Sequence, residues 1–141
     1  MTETGSVTGL TYLSQAAVLD AAVGLRTNFT LEAGADINDY TFTFTRPSGV
    51  ETAEAVYNAS NDRYEVMIPN IAAAYWDNAY TLTVTNTKTA ETYTVTGTVI
   101  GYLGRLSAQV ETAPAAQKTT IQNLCKSMYL YNQAAGTYFN K

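Results

Sequence analysis

Residues 79–106 read AYTLTVTNTKTAETYTVTGTVIGYLGRL, and two periodicities within this stretch decide the fold. Tyr80, Leu82 and Val84 alternate with Thr81, Thr83 and Thr85, and Tyr93, Val95, Gly97 and Val99 alternate with Thr94, Thr96 and Thr98. Apolar residues at every second position specify strands with one core-facing side each. The polar segment Asn86 to Thr92 between them is too short for a crossover helix, so the pair is an antiparallel hairpin. Beyond Val99 the period changes. Ile100, Leu103 and Leu106 recur at the spacing of a helix face, which predicts that a hairpin runs directly into helix.

Upstream, more sheet is needed to cover that hairpin. Residues up to about Thr11 read as a loose lead-in, and Tyr12 to Asp20 as a first, edge strand through Ala17, Val18 and Leu19. Leu25, Thr27, Phe29 and Leu31 alternate with Arg26, Asn28 and Thr30, then Glu32 to Asp39 is a polar turn. Tyr40, Phe42 and Phe44 form one face of the next strand and Thr41, Thr43 and Thr45 the other, and Arg46-Pro47-Ser48-Gly49 closes it as a tight turn. Val50 to Tyr57 is a less regular strand. Arg63 to Ile68 alternates through Tyr64, Val66 and Ile68 until Pro69, which has no N–H for the ladder. Ile71 to Tyr75 is expected to be a single helical turn.

Downstream, a short helix over Ile100 to Val110 is expected to end at Ala113-Pro114, because the residue before proline avoids the helical region. From about Ala115 the pattern is helical to the end. Ile121, Leu124, Met128, Tyr131, Ala135 and Phe139 fall on one stripe, which is expected to dock on the sheets. Six or seven short antiparallel strands thus predict an immunoglobulin-like β-sandwich followed by two helices. The 141 residues form a single domain, about 12–100 sandwich and about 100–141 helical.

Composition narrows the function. The chain is 46% hydrophobic but only 14% charged, with threonine in the surface positions. A net charge of -4 leaves no basic stripe for nucleic acid. No apolar run is long enough for a membrane span, and Met1 to Thr8 lacks the form of a signal peptide. The weakly charged, Thr-rich surface favours an extracellular or cell-surface location, with the chain a mature fragment whose Met1 was added for expression. One cysteine, Cys125, makes no intrachain disulfide and is read as a buried, inert thiol.

The segment Arg63 to Leu106, with Ile71-Ala72-Ala73 after a strand, followed by Leu130-Tyr131-Asn132-Gln133-Ala134-Ala135-Gly136-Thr137-Tyr138-Phe139, resembles a module near the C-termini of secreted and surface proteins of anaerobic Gram-positive bacteria. There, a sheet region precedes a helix ending close to Tyr-Gly-Ala-Ala-Ala-Gln-x-Tyr-Phe. Here Asn132 stands at the Gly position and Gly136 at the Gln position. The resemblance implies an extracellular accessory domain without catalytic chemistry, and it names no ligand.

Candidate sites are few. The absence of histidine removes the commonest general base and most zinc sites. The carboxylate pairs Asp36 with Asp39 and Glu51 with Glu54 lie in turns or on an irregular strand and read as solvated surface. Asp36, Asn38 and Asp39 offer oxygen ligands for calcium but lack the glycine and terminal glutamate of an EF-hand. An isopeptide bond would need a lysine in the core, whereas Lys88 is in a turn and Lys118, Lys126 and Lys141 are in or after the last helix. Tyr75, Trp76 and Tyr80 are the candidate ligand contacts, since exposed aromatic faces stack on sugar rings; the competing reading makes Trp76 a cap on the core. The expectation is therefore a non-catalytic structural or adhesive module of a bacterial surface or secreted protein, without cofactor or metal. A carbohydrate-binding module is one alternative. A subunit of an assembled particle or filament is another. A protein or glycan surface is the expected kind of partner, and homo-oligomerisation stays open.

Overall fold

The computed structural model describes residues 2–19, 22–109 and 115–138 of the chain. Among them are nine strands: β1 (Thr2–Gly5), β2 (Leu10–Leu19), β3 (Val23–Leu31), β4 (Tyr40–Arg46), β5 (Gly49–Ala53), β6 (Ala55–Asn58), β7 (Arg63–Ile68), β8 (Tyr80–Asn86) and β9 (Thr92–Gly97). Helices α1 (Val99–Gln109) and α2 (Ala115–Tyr138) follow. The strands form two antiparallel sheets, ordered β1-β9-β8-β4-β5 and β2-β3-β7-β6. A β-sandwich with C-terminal helices is the architecture that the alternating segments require.

The hairpin at the centre of the sequence argument is in place. Tyr80 pairs with Gly97, Leu82 with Val95 and Val84 with Tyr93, so every large apolar residue of β8 meets the inner face of β9. Leu82, Val84 and Val95 are fully buried. Asn86 makes the turn, its carboxamide oxygen accepting from the amides of Lys88 (3.0 Å) and Thr89 (3.4 Å). On the inner face, Phe29 meets Tyr12, Phe42 and Tyr93 with ring centroids 6.2, 6.0 and 6.3 Å away. Burying a side chain of this size contributes about 1.5–3 kcal/mol, and this cluster ties the sheets together.

The opposite face of the first sheet carries threonine. Thr4, Thr94, Thr83, Thr43 and Thr52 lie in register across all five strands. A second row includes Thr81 and Thr96, whose hydroxyls are 2.8 Å apart. Threonine suits these positions because its branched side chain packs along the pleat while its hydroxyl stays in water.

Three readings of the sequence change. The lead-in contains an edge strand, β1, which pairs with β9, and the Glu3 carboxylate accepts a hydrogen bond from Tyr93 Oη. Its four residues are all exposed, so no hydrophobic pattern could disclose it. The irregular segment Val50 to Tyr57 is two strands that switch sheets at Glu54, with β5 on β4 and β6 on β7. β2 begins at Leu10 and contains a bulge at Leu13, which shifts the register between Tyr12 and Ser14.

The passage from sheet to helix is capped by Thr98, whose Oγ1 accepts from the amide of Gly101 at 2.7 Å. Val99 and Leu103 of α1 are buried in the core. The expected end of this helix at Ala113-Pro114 lies outside the described residues.

Candidate functional site

The end of the sandwich next to α2 gathers most of the residues singled out in the sequence. A 3-10 turn, Ala73–Tyr75, follows β7. Trp76 comes next and is buried, with its indole N–H donating to the Ile71 carbonyl at 2.9 Å. Tyr80, the first residue of β8, is 2% exposed, and burial pushes its hydroxyl above the usual tyrosine range. Of the three proposed ligand contacts only Tyr75 reaches the surface. Trp76 and Tyr80 belong to the core, so these three residues do not form an exposed row for stacking. The pattern of alternation already favoured that outcome for Tyr80.

The docked face of α2 also differs from the stripe read in the sequence. The half-buried Ile121, Met128 and Ala135 lie on it as expected. The fully buried positions are Cys125 and Asn132, whereas Leu124 is 42% and Tyr131 63% exposed. Phe139 lies outside the described residues. The helix is therefore turned by part of a revolution from its most apolar stripe. Asn132 Nδ2 donates to the Ala73 carbonyl of the 3-10 turn at 2.6 Å, and the Cys125 thiol faces the Leu103 carbonyl of α1 at 3.6 Å. Burial raises the thiol's pKa, consistent with an unreactive cysteine. Tyr131 lies beside Trp76, with ring centroids 5.8 Å apart and planes inclined by 31°.

Three grooves run along α2. The first, about 410 Å³, is lined by Leu19, Val23, Trp76, Leu124, Met128 and Tyr131. The second, also about 410 Å³, includes Ile100, Leu103, Cys125 and Tyr129. The third is larger, about 690 Å³, and more polar, with Asp77, Tyr129, Asn132, Gln133, Gly136 and Thr137 among its walls. Asn132, Gln133, Gly136 and Thr137 fall within the C-terminal motif quoted for the resemblance, but no site role is read for them there, and Asp77 and Tyr129 are not singled out. By its type Asn132 reads as one of the polar residues that avoid the apolar stripe; its spacing of four from Met128 and three from Ala135 is the available signal that it shares their face.

The acidic residues of the turns have structural partners. Asp36 Oδ1 accepts from the Asn38 amide at 2.9 Å, and Asp39 pairs with Lys88 at 3.2 Å. Glu51 pairs with Arg46. On the outer face of the second sheet, Glu65 accepts from Arg63 Nε and Nη2 (3.1 and 3.0 Å) and from Asn58 Nδ2 (3.2 Å). Burial alone would raise the Glu65 pKa, but these hydrogen bonds and the Arg26 charge outweigh it and hold the carboxyl below its ordinary value. Among the described residues no three His, Cys, Asp or Glu side chains group as metal ligands, and no helix is long and apolar enough to cross a membrane.

Comparison with known proteins returned no matching family model, no matching curated protein and no matching solved structure.

Proposed function

We propose that the chain is a non-catalytic structural or adhesive module of a bacterial surface or secreted protein, built as an immunoglobulin-like sandwich. The observation that carries this reading is the threonine row Thr4, Thr94, Thr83, Thr43 and Thr52, which gives the five-stranded sheet an outer face of neutral hydroxyls and methyls. Such a face stays hydrated without the lysine and glutamate that cover most cytosolic surfaces, and it fits the low charge of the whole chain. The strand order supports the immunoglobulin-like assignment. The sheet β2-β3-β7-β6 follows the A-B-E-D order of such domains, and β9-β8-β4-β5 follows G-F-C with one added strand. Here the first strand, β1, runs antiparallel to β9, and no disulfide crosses the sheets.

Location is the decisive test. Fractionation of the source cells, with protease applied to intact cells, should find the protein in the medium or accessible at the surface. A soluble pool confined to the cytosol would overturn the proposal.

A second reading, a subunit of a particle or filament, draws on the strand edges. Val50 on β5 and Val56 and Tyr57 on β6 are 70%, 62% and 50% exposed at the sheet margins, where unpaired backbone can accept another strand. Light scattering across a concentration series separates the two: a monomer at all concentrations favours the first reading and growth in mass the second.

A further inference from the structure

We infer that the polar cleft between α2 and the 3-10 turn binds a neutral saccharide, a role beyond that of a structural module and independent of it. Its volume, about 690 Å³, lies within the roughly 300–1,000 Å³ of small-ligand sites. Tyr129, 48% exposed, is among its lining residues. Gln133 Nε2 donates to Tyr129 Oη at 2.9 Å, which joins the ring and the carboxamide on one helix face, four residues apart. The Asp77 carboxylate, the Asn132 and Gln133 carboxamides and the Thr137 hydroxyl complete the polar lining.

This division of chemistry matches a pyranose, which presents a C–H face to an aromatic ring and a rim of hydroxyls that both donate and accept. Carboxylate and carboxamide groups serve such hydroxyls in pairs. Among the described residues that line the cleft there is no lysine or arginine, so the lining offers no cation to favour phosphorylated or acidic ligands. Asn132 is held rigidly by its bond to the Ala73 carbonyl, which lowers the ordering cost of binding. Gly136 is among the lining residues, and a Cβ there would meet open space, with no atom within 4 Å.

The test screens the intact protein on an array of neutral oligosaccharides, then titrates a soluble trisaccharide from the retained class into isotopically labelled protein. At least one neutral glycan should bind, with amide shifts centred on Asp77, Tyr129, Gln133, Gly136 and Thr137. Tyr129→Ala should weaken binding at least tenfold. Gly136→Leu should abolish it by filling the cleft, with an unchanged or higher melting temperature, because leucine is the better helix former. No neutral glycan retained, retention of anionic glycans alone, or binding that survives both substitutions would each overturn the inference.

Discussion

Asn132→Ala tests what positions α2. In the native chain this carboxamide is 7% exposed and its Nδ2 lies 2.6 Å from the Ala73 carbonyl. Removal forfeits a hydrogen bond of about 0.5–1.5 kcal/mol net and leaves a half-buried carbonyl short of a donor, which brings the cost toward about 1–3 kcal/mol. Alanine returns up to about 0.7 kcal/mol through its better helix propensity. The balance is a loss of about 1–2 kcal/mol. For 141 residues a loss of that size lowers the melting temperature by roughly 3–7 °C. Trp76 is the sole tryptophan of the chain, and Tyr131 of α2 lies against it. Its fluorescence therefore reports the docking of α2, while far-ultraviolet circular dichroism near the β band reports the sheets. The variant should show the tryptophan transition at lower temperature than the sheet transition, whereas Gln133→Ala, on the exposed side, should melt within about 0.5 kcal/mol of the parent. A variant with both transitions where the parent has them would refute the reasoning, and apolar contact alone would then hold the helix.

Gly97→Ala should destabilise by about 1–3 kcal/mol in urea titration, since a Cβ there overlaps the carboxamide oxygen of the buried Gln15 and threatens its 3.3 Å bond to Thr27; the parent midpoint would contradict this packing. The lowered pKa of Glu65 means that its contribution is complete above the unfolded value near 4.5 and is lost as pH falls through the folded value. Glu65→Gln should therefore be less stable than the parent at pH 7 and lose less on acidification below about pH 4.5, and parallel stability profiles for the two proteins would remove the linkage. Burial raises the hydroxyls of Tyr12, Tyr40, Tyr80 and Tyr93, the last also through Glu3, so their stabilising effect is intact below about pH 10 and declines above it. Absorbance near 295 nm should accordingly show fewer tyrosinates at pH 11 in the native protein than in urea, and equal amounts would count against it. Cys125 should resist a thiol reagent in the native state and react at the rate at which α2 opens, so Asn132→Ala should accelerate modification; immediate reaction of the parent would contradict the buried placement.

The sheets were legible because their signal is strictly local. Each of β4, β8 and β9 repeats apolar and polar residues at period two and buries the apolar set, and β7 buries Val66 and Ile68 in the same way. β1 was illegible for the opposite reason: it is held by the backbone ladder and by Glu3 with Tyr93, which leave no trace in hydrophobicity. The switch at Glu54 was hidden because both flanking strands lie at sheet margins and bury little. At the candidate site the sequence identified the large aromatics, and the alternation and the core-cap reading already pointed Tyr80 and Trp76 inward. Trp76 and Tyr80 were conspicuous by size, and size brought them into the core, whereas the residues that line the polar cleft are ordinary helix-surface types whose meeting depends on where α2 docks.

The rotation of α2 follows from comparing two costs. Docking on its most apolar stripe would cover Leu124 and Tyr131 more fully. Leu124 already hides more than half of its surface at 42% exposure, so the remaining gain is a fraction of the roughly 1.5–3 kcal/mol for complete burial. Tyr131 keeps one ring face near Trp76 even while exposed, so part of its benefit is retained as well. Against this stands the 3-10 turn, in which the Ala73 carbonyl receives only a long bond, 3.4 Å, from the Trp76 amide. Covering that carbonyl with an apolar helix face would remove its water without replacing the bond, a penalty of about 1–3 kcal/mol. Asn132 supplies the donor at 2.6 Å. Satisfying the turn therefore offsets incomplete burial of two side chains, and the polar requirement sets the angle at which the helix lies. The same angle places Tyr129, Gln133, Gly136 and Thr137 along the wall of the polar cleft, so the bond that orients α2 also builds the proposed saccharide site.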